Sequence, residues 1–254
     1  MRRKTRITAL VLLILALIVN GGIRGVSSAE PAEGTDFVIG VQSFVNSLDP
    51  QEISSNVGQQ VTYNIFDTLV FRDPYKTPLE IKAGLADSWK RLDELTWEFQ
   101  LRKGVKFHDG SELTAEDVVF SLMRAIKVED PRYGNTNAVI GGNMDRVEAV
   151  DKNTVRVITL KPDPIVEQLL SDANAGIVSK AYVEKVGLEK SCLMPIGTGP
   201  YKVSSFVPGN KLVMERFEDF WGDKAPFKTV TYTVIPEIAS RITSLVNKET
   251  DFIN

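Results

Sequence analysis

The chain contains a single histidine, His108, and a single cysteine, Cys192. Any Ser-His-Asp or Cys-His catalytic arrangement would therefore have to use His108. His108 precedes the turn dipeptide Asp109-Gly110, and no nucleophile signature lies near it in the sequence. We interpret His108 as a partly exposed loop residue, and a hydrolase that uses it is the less favoured hypothesis. Cys192 cannot form an intramolecular disulfide, and we interpret it as a buried, unreactive thiol.

Other residue types with catalytic potential are not arranged for catalysis. Glu116 and Asp117 are adjacent on a predicted helix and point in different directions, so they do not form an acid–base pair. Gly197 and Gly199 lack the surrounding pattern of a phosphate-binding loop, and we interpret them as turn residues. No recognised metal-ligand spacing is present. The sequence predicts a protein that is not an enzyme and has no cofactor or metal.

Residues 97–124 form the stretch around which the other elements are arranged. Trp97, Phe99 and Leu101 alternate with polar residues, which predicts a strand with one buried face. The strand could continue through Val105 and Phe107. After the turn at Asp109-Gly110, Thr114 is the predicted N-cap of a helix that runs from Ala115 to about Lys127.

Further elements are predicted by the same periodicities on both sides of this stretch. Strands are predicted at residues 37–41, 69–71, 177–179 and 230–235, with hairpins at 147–160 and 201–216. A helix is predicted to end near Asp67, another to lie near residues 165–170, and an amphipathic helix to follow Ile238. Phe217, Phe220 and Trp221 are interpreted as core rather than as a binding platform.

Three segments resemble solute-binding protein family 5 of ABC importers. They are GLADSWK at residues 84–90, TWEFQLRKGVKFHDGSELTAEDVVFSLMRA from Thr96, and PIGTGPYKV at residues 195–203. The resemblance extends from about Phe37 to Asn254. Members of the family bind dipeptides, oligopeptides or nickel.

The resemblance implies an α/β, periplasmic-binding-protein-like fold of the class with an extra inserted domain. By resemblance, residues 37–64 and 177–254 form a discontinuous lobe I, and residues 65–176 form the inserted domain. The implied function is capture of a peptide or related small solute, a nickel chelate included, and delivery to an ABC transporter permease in the inner membrane.

The resemblance also indicates where a ligand would bind. The loop after Leu48-Asp49-Pro50 lines the ligand cleft in the family, which places Ser54, Ser55 and Asn56 at the site. Thr198 and Gly199, within PIGTGPYKV, are the other candidate ligand-binding residues. Without the resemblance, Ser54–Asn56 would be interpreted as a solvated polar loop. The family's mode of binding implies a ligand held by backbone groups as an added strand.

The N-terminus has the layout of a secretory signal peptide. Arginines and a lysine precede an apolar run from Ala9 to Val19, which is too short to span a bilayer. Ser27-Ser28-Ala29 is a small-residue cleavage site, so residues 1–29 are the predicted leader. The alternative is a short uncleaved anchor, and the Sec and Tat export routes both remain open. The expected location is periplasmic or extracellular.

The charge balance excludes some partners. The formal net charge is −3, and removal of the basic leader makes the mature chain more acidic. A nucleic acid or an anionic membrane surface would require a basic patch, so neither is an expected partner. We expect a monomer.

The family's binding proteins continue into a second lobe of comparable size, whereas this sequence stops at Asn254. We expect the chain to be a fragment of a longer product that binds ligand more weakly than a full-length relative. The alternative is a single-lobe derivative that acts as an interaction or sensor protein without tight ligand binding.

Overall fold

The computed structural model describes residues 35–73, 77–78, 80–127 and 131–254. The predicted leader at residues 1–29 lies outside this part of the chain. The principal elements are β1 (Asp36–Val41), α1 (Asn56–Ile65), β2 (Val70–Asp73), β3 (Glu80–Ala83), β4 (Ala86–Arg91), β5 (Thr96–Leu101), α2 (Ala115–Ile126), β6 (Met144–Asp151), β7 (Thr154–Thr159), α3 (Val166–Leu169), α4 (Lys180–Val186), α5 (Leu188–Leu193), β8 (Tyr201–Val207), β9 (Lys211–Arg216), β10 (Thr229–Val234), α6 (Ile238–Val246) and β11 (Phe252–Ile253). Short helical turns at Pro50–Glu52, Pro131–Tyr133, Gly134–Thr136 and Ala173–Ala175, with a π-helical stretch at Asn137–Gly141, complete the set.

A five-stranded sheet combines the first described strand with strands from the end of the chain. Its order is β11-β1-β10-β9-β8. β1 lies parallel to β10 and β11, whereas β9 is antiparallel to β10 and β8. Alternation along β10 buries Val230 and Tyr232 against a core that also contains Val41, Ile65 and Leu212. β1 is an interior strand of this sheet, between β11 and β10. The chain that leaves its carboxyl end leads to α1.

A four-stranded antiparallel sheet, β4-β5-β7-β6, is built from the middle of the chain. Phe99 on β5 is fully buried and Phe107 is 1% exposed, while Trp97 is partly buried against the same core. Val118 and Leu122 on α2 pack into this core. The predicted strand and helix of the central stretch are confirmed.

The turn and helix cap between β5 and α2 are also confirmed. The Asp109 carboxylate accepts hydrogen bonds from the backbone N–H (3.0 Å) and the hydroxyl (2.6 Å) of Ser111. Gly110 has a φ of 86°, in the left-handed region that glycine adopts without strain. Thr114 is the N-cap of α2, and the Asp117 carboxylate accepts from its backbone N–H and hydroxyl. These local contacts set the direction in which α2 leaves the sheet.

Two expectations about strands are wrong. β5 ends at Leu101, and Phe107 instead closes the following turn, where its N–H donates to the carbonyl of Ser111. Residues 177–179 form no strand, because Ile177 donates its backbone N–H to the Asp67 carbonyl and Val178 donates to the Ser121 hydroxyl. Partners from other parts of the chain occupy the groups that sheet pairing would need.

The remaining predicted elements are found close to their expected positions. The hairpins β6–β7 and β8–β9, the strand β10, and the helices α3 and α6 are confirmed. The helices α4 and α5 were not predicted. Among the described residues, no helix combines the length and the apolar character that crossing a bilayer requires.

Candidate functional site

A cavity of about 570 Å³ opens between two segments that flank the Leu48-Asp49-Pro50 sequence. One wall is the segment after β1, residues 42–47, and the other is formed by residues 52–57 at the start of α1. Asn254 completes the lining. Because the first wall continues directly from β1, the cavity lies at the carboxyl end of a strand inside a sheet, a common position for ligand sites in α/β proteins.

Three of the predicted site residues, Ser54, Ser55 and Asn56, line this cavity. All three are exposed. Ser55 is the N-cap of α1, and its hydroxyl accepts a hydrogen bond from the backbone N–H of Gly58 (3.1 Å). The cavity wall therefore contains the amino end of α1, where backbone N–H groups and the helix dipole favour negative charge.

The opposite wall offers unused backbone donors. In the described part of the chain, no acceptor is found for the backbone N–H groups of Ser43, Phe44 and Val45. Phe44 is held by aromatic contacts with Tyr232 (ring centroids 5.5 Å apart) and Phe206 (6.2 Å). A segment outside the helices and strands, with open N–H groups and a side chain fixed by aromatic contacts, can pair with a peptide backbone.

Ionic contacts fix the turn at Pro50–Glu52, which connects the two walls. Arg124 on α2 donates two hydrogen bonds from Nη2 to the Asp49 carboxylate (2.7 and 2.9 Å). Its Nε donates to Oε1 of Gln51 (2.8 Å). The Asp49 carboxylate also accepts from the backbone N–H of Gln51 (3.0 Å). Because Asp49 and Gln51 are buried, these paired contacts hold the turn against α2.

Asn174 braces the same turn from the other side. Its side-chain amide donates to the carbonyls of Pro50 (3.0 Å) and Ile53 (2.9 Å) and to the hydroxyl of Thr136 (2.9 Å). Thr136 in turn donates its hydroxyl to the carbonyl of Gln51 (2.6 Å). The turn at Pro50–Glu52, which connects the two cavity walls, is thus hydrogen-bonded to segments far away in the sequence.

Asp49, Glu52 and Cys192 form a cluster whose ligand atoms lie within 4.8 Å of one another. Burial, followed by the charges of the two carboxylates, raises the pKa of the Cys192 thiol to about 12. The thiol is therefore protonated at neutral pH and lies 3.7 Å from each carboxylate as a donor. Arg124 and Arg132 already pair with the two acids. A transition metal would need the thiolate, so this donor set does not suit one.

Thr198 and Gly199 lie apart from the cavity that Ser54–Asn56 line. Thr198 is fully buried and donates its hydroxyl to the Asp67 carboxylate (2.8 Å). The N–H of Gly199 donates to the Ile65 carbonyl (2.9 Å), at an approach so close that a Cβ would lie 2.7 Å from the carbonyl carbon. The structure therefore does not bring all five predicted residues together.

His108 holds the same glycine segment. Its Nε2 lies 3.0 Å from the Gly199 carbonyl, and its Nδ1 accepts from the N–H of Gly197 (3.3 Å). Burial is the main cause that lowers its pKa to about 4. Both ring nitrogens are engaged with backbone, which is the arrangement of a structural histidine and not of a catalytic base.

The family comparison matches residues 80–254 to the model described as bacterial extracellular solute-binding proteins, family 5 Middle. The match covers more than half of the chain. The chain belongs to this family.

Two curated relatives of this family 5 chain illustrate the similarity. It is 33% identical over 194 residues to the dipeptide-binding protein of Escherichia coli (strain K12), covering 67% of this chain and 35% of the relative. It is 30% identical over 251 residues to the periplasmic oligopeptide-binding protein OppA of Salmonella typhimurium (strain LT2), covering 87% of this chain and 45% of the relative. The chain spans less than half the length of each.

A solved structure shows the same fold. The periplasmic binding protein DppA from Helicobacter pylori, in complex with the peptide STSA, matches with a TM-score of 0.79 at 27% identity. The match covers 89% of this family 5 chain and 47% of DppA. The expected periplasmic-binding-protein-like α/β fold is confirmed.

Other cavity residues of this family 5 chain were missed at the sequence level. Gln42, Phe44 and Glu52 line the cavity but carry no motif of their own. The available signal was their position, because they flank Leu48-Asp49-Pro50 in the segment that follows the strand predicted at residues 37–41. That signal identifies a segment and does not select individual side chains.

Proposed function

We propose that this chain captures a peptide or a related small solute outside the cytoplasm and delivers it to an ABC transporter permease. The observation that supports this most directly is the cavity at the end of β1. It combines open backbone N–H groups at residues 43–45 with the amino end of α1 and the polar side chains of Ser54–Asn56. No catalysed reaction is part of this role.

In the proposed mode of binding, the peptide lies along residues 43–45 as an added strand. Main-chain hydrogen bonds would supply affinity that depends little on the peptide's side chains. A ligand carboxylate directed at the start of α1 would meet backbone N–H groups and the positive end of the helix dipole. The side chain of Asn56 offers a further donor at that position.

We also propose the domain division stated above, with residues 37–64 and 177–254 as lobe I and residues 65–176 as an inserted domain. Membership of the two larger sheets supports it. The five-stranded sheet draws its strands from residues 36–41 and from residues 201–253, and the four-stranded sheet from residues 86–159. In this division the cavity belongs to lobe I, and Arg124 supports it from the inserted domain.

Calorimetric titration with the tetrapeptide Ser-Thr-Ser-Ala tests the proposed site. We expect saturable binding, and we expect Ser43→Pro to weaken it at least about tenfold because proline removes one of the open N–H donors. Asn56→Ala should weaken it by a smaller factor. Ser204→Ala, on the exposed side of β8 and away from the cavity, should bind as the parent does.

The proposal would be contradicted by equal binding in the parent and in Ser43→Pro. Absence of binding by Ser-Thr-Ser-Ala and by a mixed tetrapeptide library at millimolar concentration would also contradict it. Binding to a permease without any peptide would favour the alternative role as an interaction or sensor protein.

A further inference from the structure

A second cavity, of about 420 Å³, lies between the end of α1 and the segment after β9. Its aromatic lining includes Tyr63 and Phe71 together with Phe220 and Trp221. We expected Phe220 and Trp221 in the core, but both are only partly buried. Tyr63 and Phe71 are 49% and 41% exposed, so much of this aromatic surface faces solvent. It shares no lining residue with the cavity at the end of β1.

One carboxylate, that of Asp67, lies within the aromatic walls. Its Oδ2 accepts hydrogen bonds from Nε1 of Trp221 (2.8 Å) and from the hydroxyl of Thr198 (2.8 Å). Among the described residues, Oδ1 has no hydrogen-bond donor and no lysine or arginine forms an ion pair with Asp67. Burial raises the pKa of Asp67, and the two hydrogen bonds offset this only in part.

This arrangement lacks a cation. Asp67 is partly buried, and Oδ1 does not belong to the fully buried side-chain atoms without a partner in the described residues, so a ligand in the cavity can reach it. A positive partner there would add a charged contact to the two neutral donors. Arg102 lies over the ring of Trp221, a wall residue (4.7 Å to its centroid), but its guanidinium pairs with Asp87 (3.0 Å) and not with Asp67. Aromatic faces attract cations and also accept apolar groups.

We propose that this second cavity binds an organic cation that carries an aromatic group, with its ammonium at Oδ1 of Asp67 and its ring against the aromatic walls. The ammonium would donate to the open carboxylate oxygen. The ring would pack on Tyr63 and Phe71, which are exposed in its absence. This site does not depend on the proposed function.

The test uses 2-phenylethylammonium and its neutral isostere 2-phenylethanol as probes in ligand-observed NMR titrations of the chain. The parent should bind the ammonium saturably and at least about tenfold more tightly than the alcohol. Asp67→Asn should bind both probes equally weakly. Asp223→Asn, a matched control that removes an exposed carboxylate at the rim of the cavity, should retain the preference for the cation.

Phe71→Ala supplies a second variant that does not change the partly buried carboxylate of Asp67. It removes an exposed wall of the cavity, so both probes should bind more weakly. The ratio of their affinities should stay unchanged. The proposal is overturned if the parent does not discriminate between the probes, if Asp67→Asn keeps the preference, or if Phe71→Ala binds as the parent does.

Discussion

His108 shows how one residue couples the protonation of a side chain to the stability of the fold. The neutral ring donates from Nε2 to the Gly199 carbonyl and accepts at Nδ1 from the Gly197 N–H. Protonation would place a second N–H against the Gly197 N–H and would charge a partly buried ring. Both effects disfavour the protonated form in the folded state.

We therefore predict an acid-sensitive step in stability. The pKa of His108 falls from 6.5 to about 4 on folding, so the unfolded chain binds the proton more readily between these values. The free energy of unfolding should decrease as the pH falls from 6.5 to 4, by up to about 3 kcal/mol from this group. Urea unfolding across this window provides the measurement.

His108→Gln is the matched variant, because its amide cannot take up a proton in this range. Its loss of stability on acidification should be smaller than that of the parent, with only the carboxylates contributing. Parallel pH profiles for parent and variant would show that His108 is not the cause.

Phe99 provides a prediction about the core of the four-stranded sheet. Phe99→Ala should lower the free energy of unfolding by about 3 to 5 kcal/mol, because it loses burial and leaves a cavity. Val150→Ala on β6, where the side chain is 46% exposed, should change it by no more than about 0.5 kcal/mol. If Phe99→Ala unfolded at the parent's urea concentration but lost peptide binding, Phe99 would belong to the site and not to the core.

At the scale of elements, α1 joins local structure to the proposed peptide site. It begins with the Ser55 cap beside the cavity and ends where the Ile65 carbonyl accepts from the N–H of Gly199. Its amino end depends on a single side-chain hydrogen bond to Gly58, and the turn before it depends on Asp49. The orientation of this cavity wall therefore depends on hydrogen bonds between residues that are close together in the sequence.

Ser55→Ala should lower the free energy of unfolding by about 1 kcal/mol, the usual cost of losing an N-cap oxygen. Thermal unfolding monitored by circular dichroism would measure this cost. Ser54→Ala, at the exposed neighbouring position, is the control and should leave stability within about 0.5 kcal/mol of the parent. Equal losses in both variants would argue against a specific role for the cap.

At the scale of the whole molecule, one helix presents an uncovered apolar face. We define the α6 patch as the exposed residues Ile238, Ile242, Leu245, Val246 and Phe252. Their exposed fractions run from 39% for Leu245 to 74% for Val246. Contiguous apolar surface of this kind favours association in water.

Although the sequence leads us to expect a monomer, we predict that the exposed α6 patch makes the chain self-associate at high protein concentration. The double variant Ile242→Lys, Val246→Lys should sediment as a smaller species than the parent under the same conditions. Thr243→Lys adds charge at a neighbouring exposed polar position and should leave association largely unchanged. The same sedimentation profile for the parent and the double variant would exclude the patch as the contact.

Export is a further prediction about the whole chain. The order of basic residues, apolar run and Ser27-Ser28-Ala29 predicts cleavage after Ala29 and a mature N-terminus at Glu30. Intact-mass measurement on protein collected from the periplasm should give the mass of residues 30 onward. A mass that includes residues 1–29 would instead support an uncleaved anchor.

Elements with local causes could be predicted from the residues around them. The alternation of Trp97, Phe99 and Leu101 gives β5, and the Thr114–Asp117 cap starts α2, because each signal lies within a few residues of its effect. Three sequence segments also predicted the family and, through it, the fold. The same resemblance selected Ser54, Ser55 and Asn56; they line the cavity at the end of β1, and their role in ligand binding stays a prediction.

Hydrogen bonds between groups that are distant in the sequence could not be predicted, because they follow from the packing of the whole fold. Residues 177–179 have a strand-like composition, yet Asp67, Ser121 and Ile196 accept from their backbone N–H groups. The family resemblance made Thr198 a candidate site residue, yet Thr198 is fully buried and its hydroxyl donates to the Asp67 carboxylate. Burial and pairing depend mostly on partners more than 50 residues away in the chain, as the separations of 57 and 131 residues for two of these contacts show. No local pattern encodes such partners, because each is selected by the packing of the complete fold.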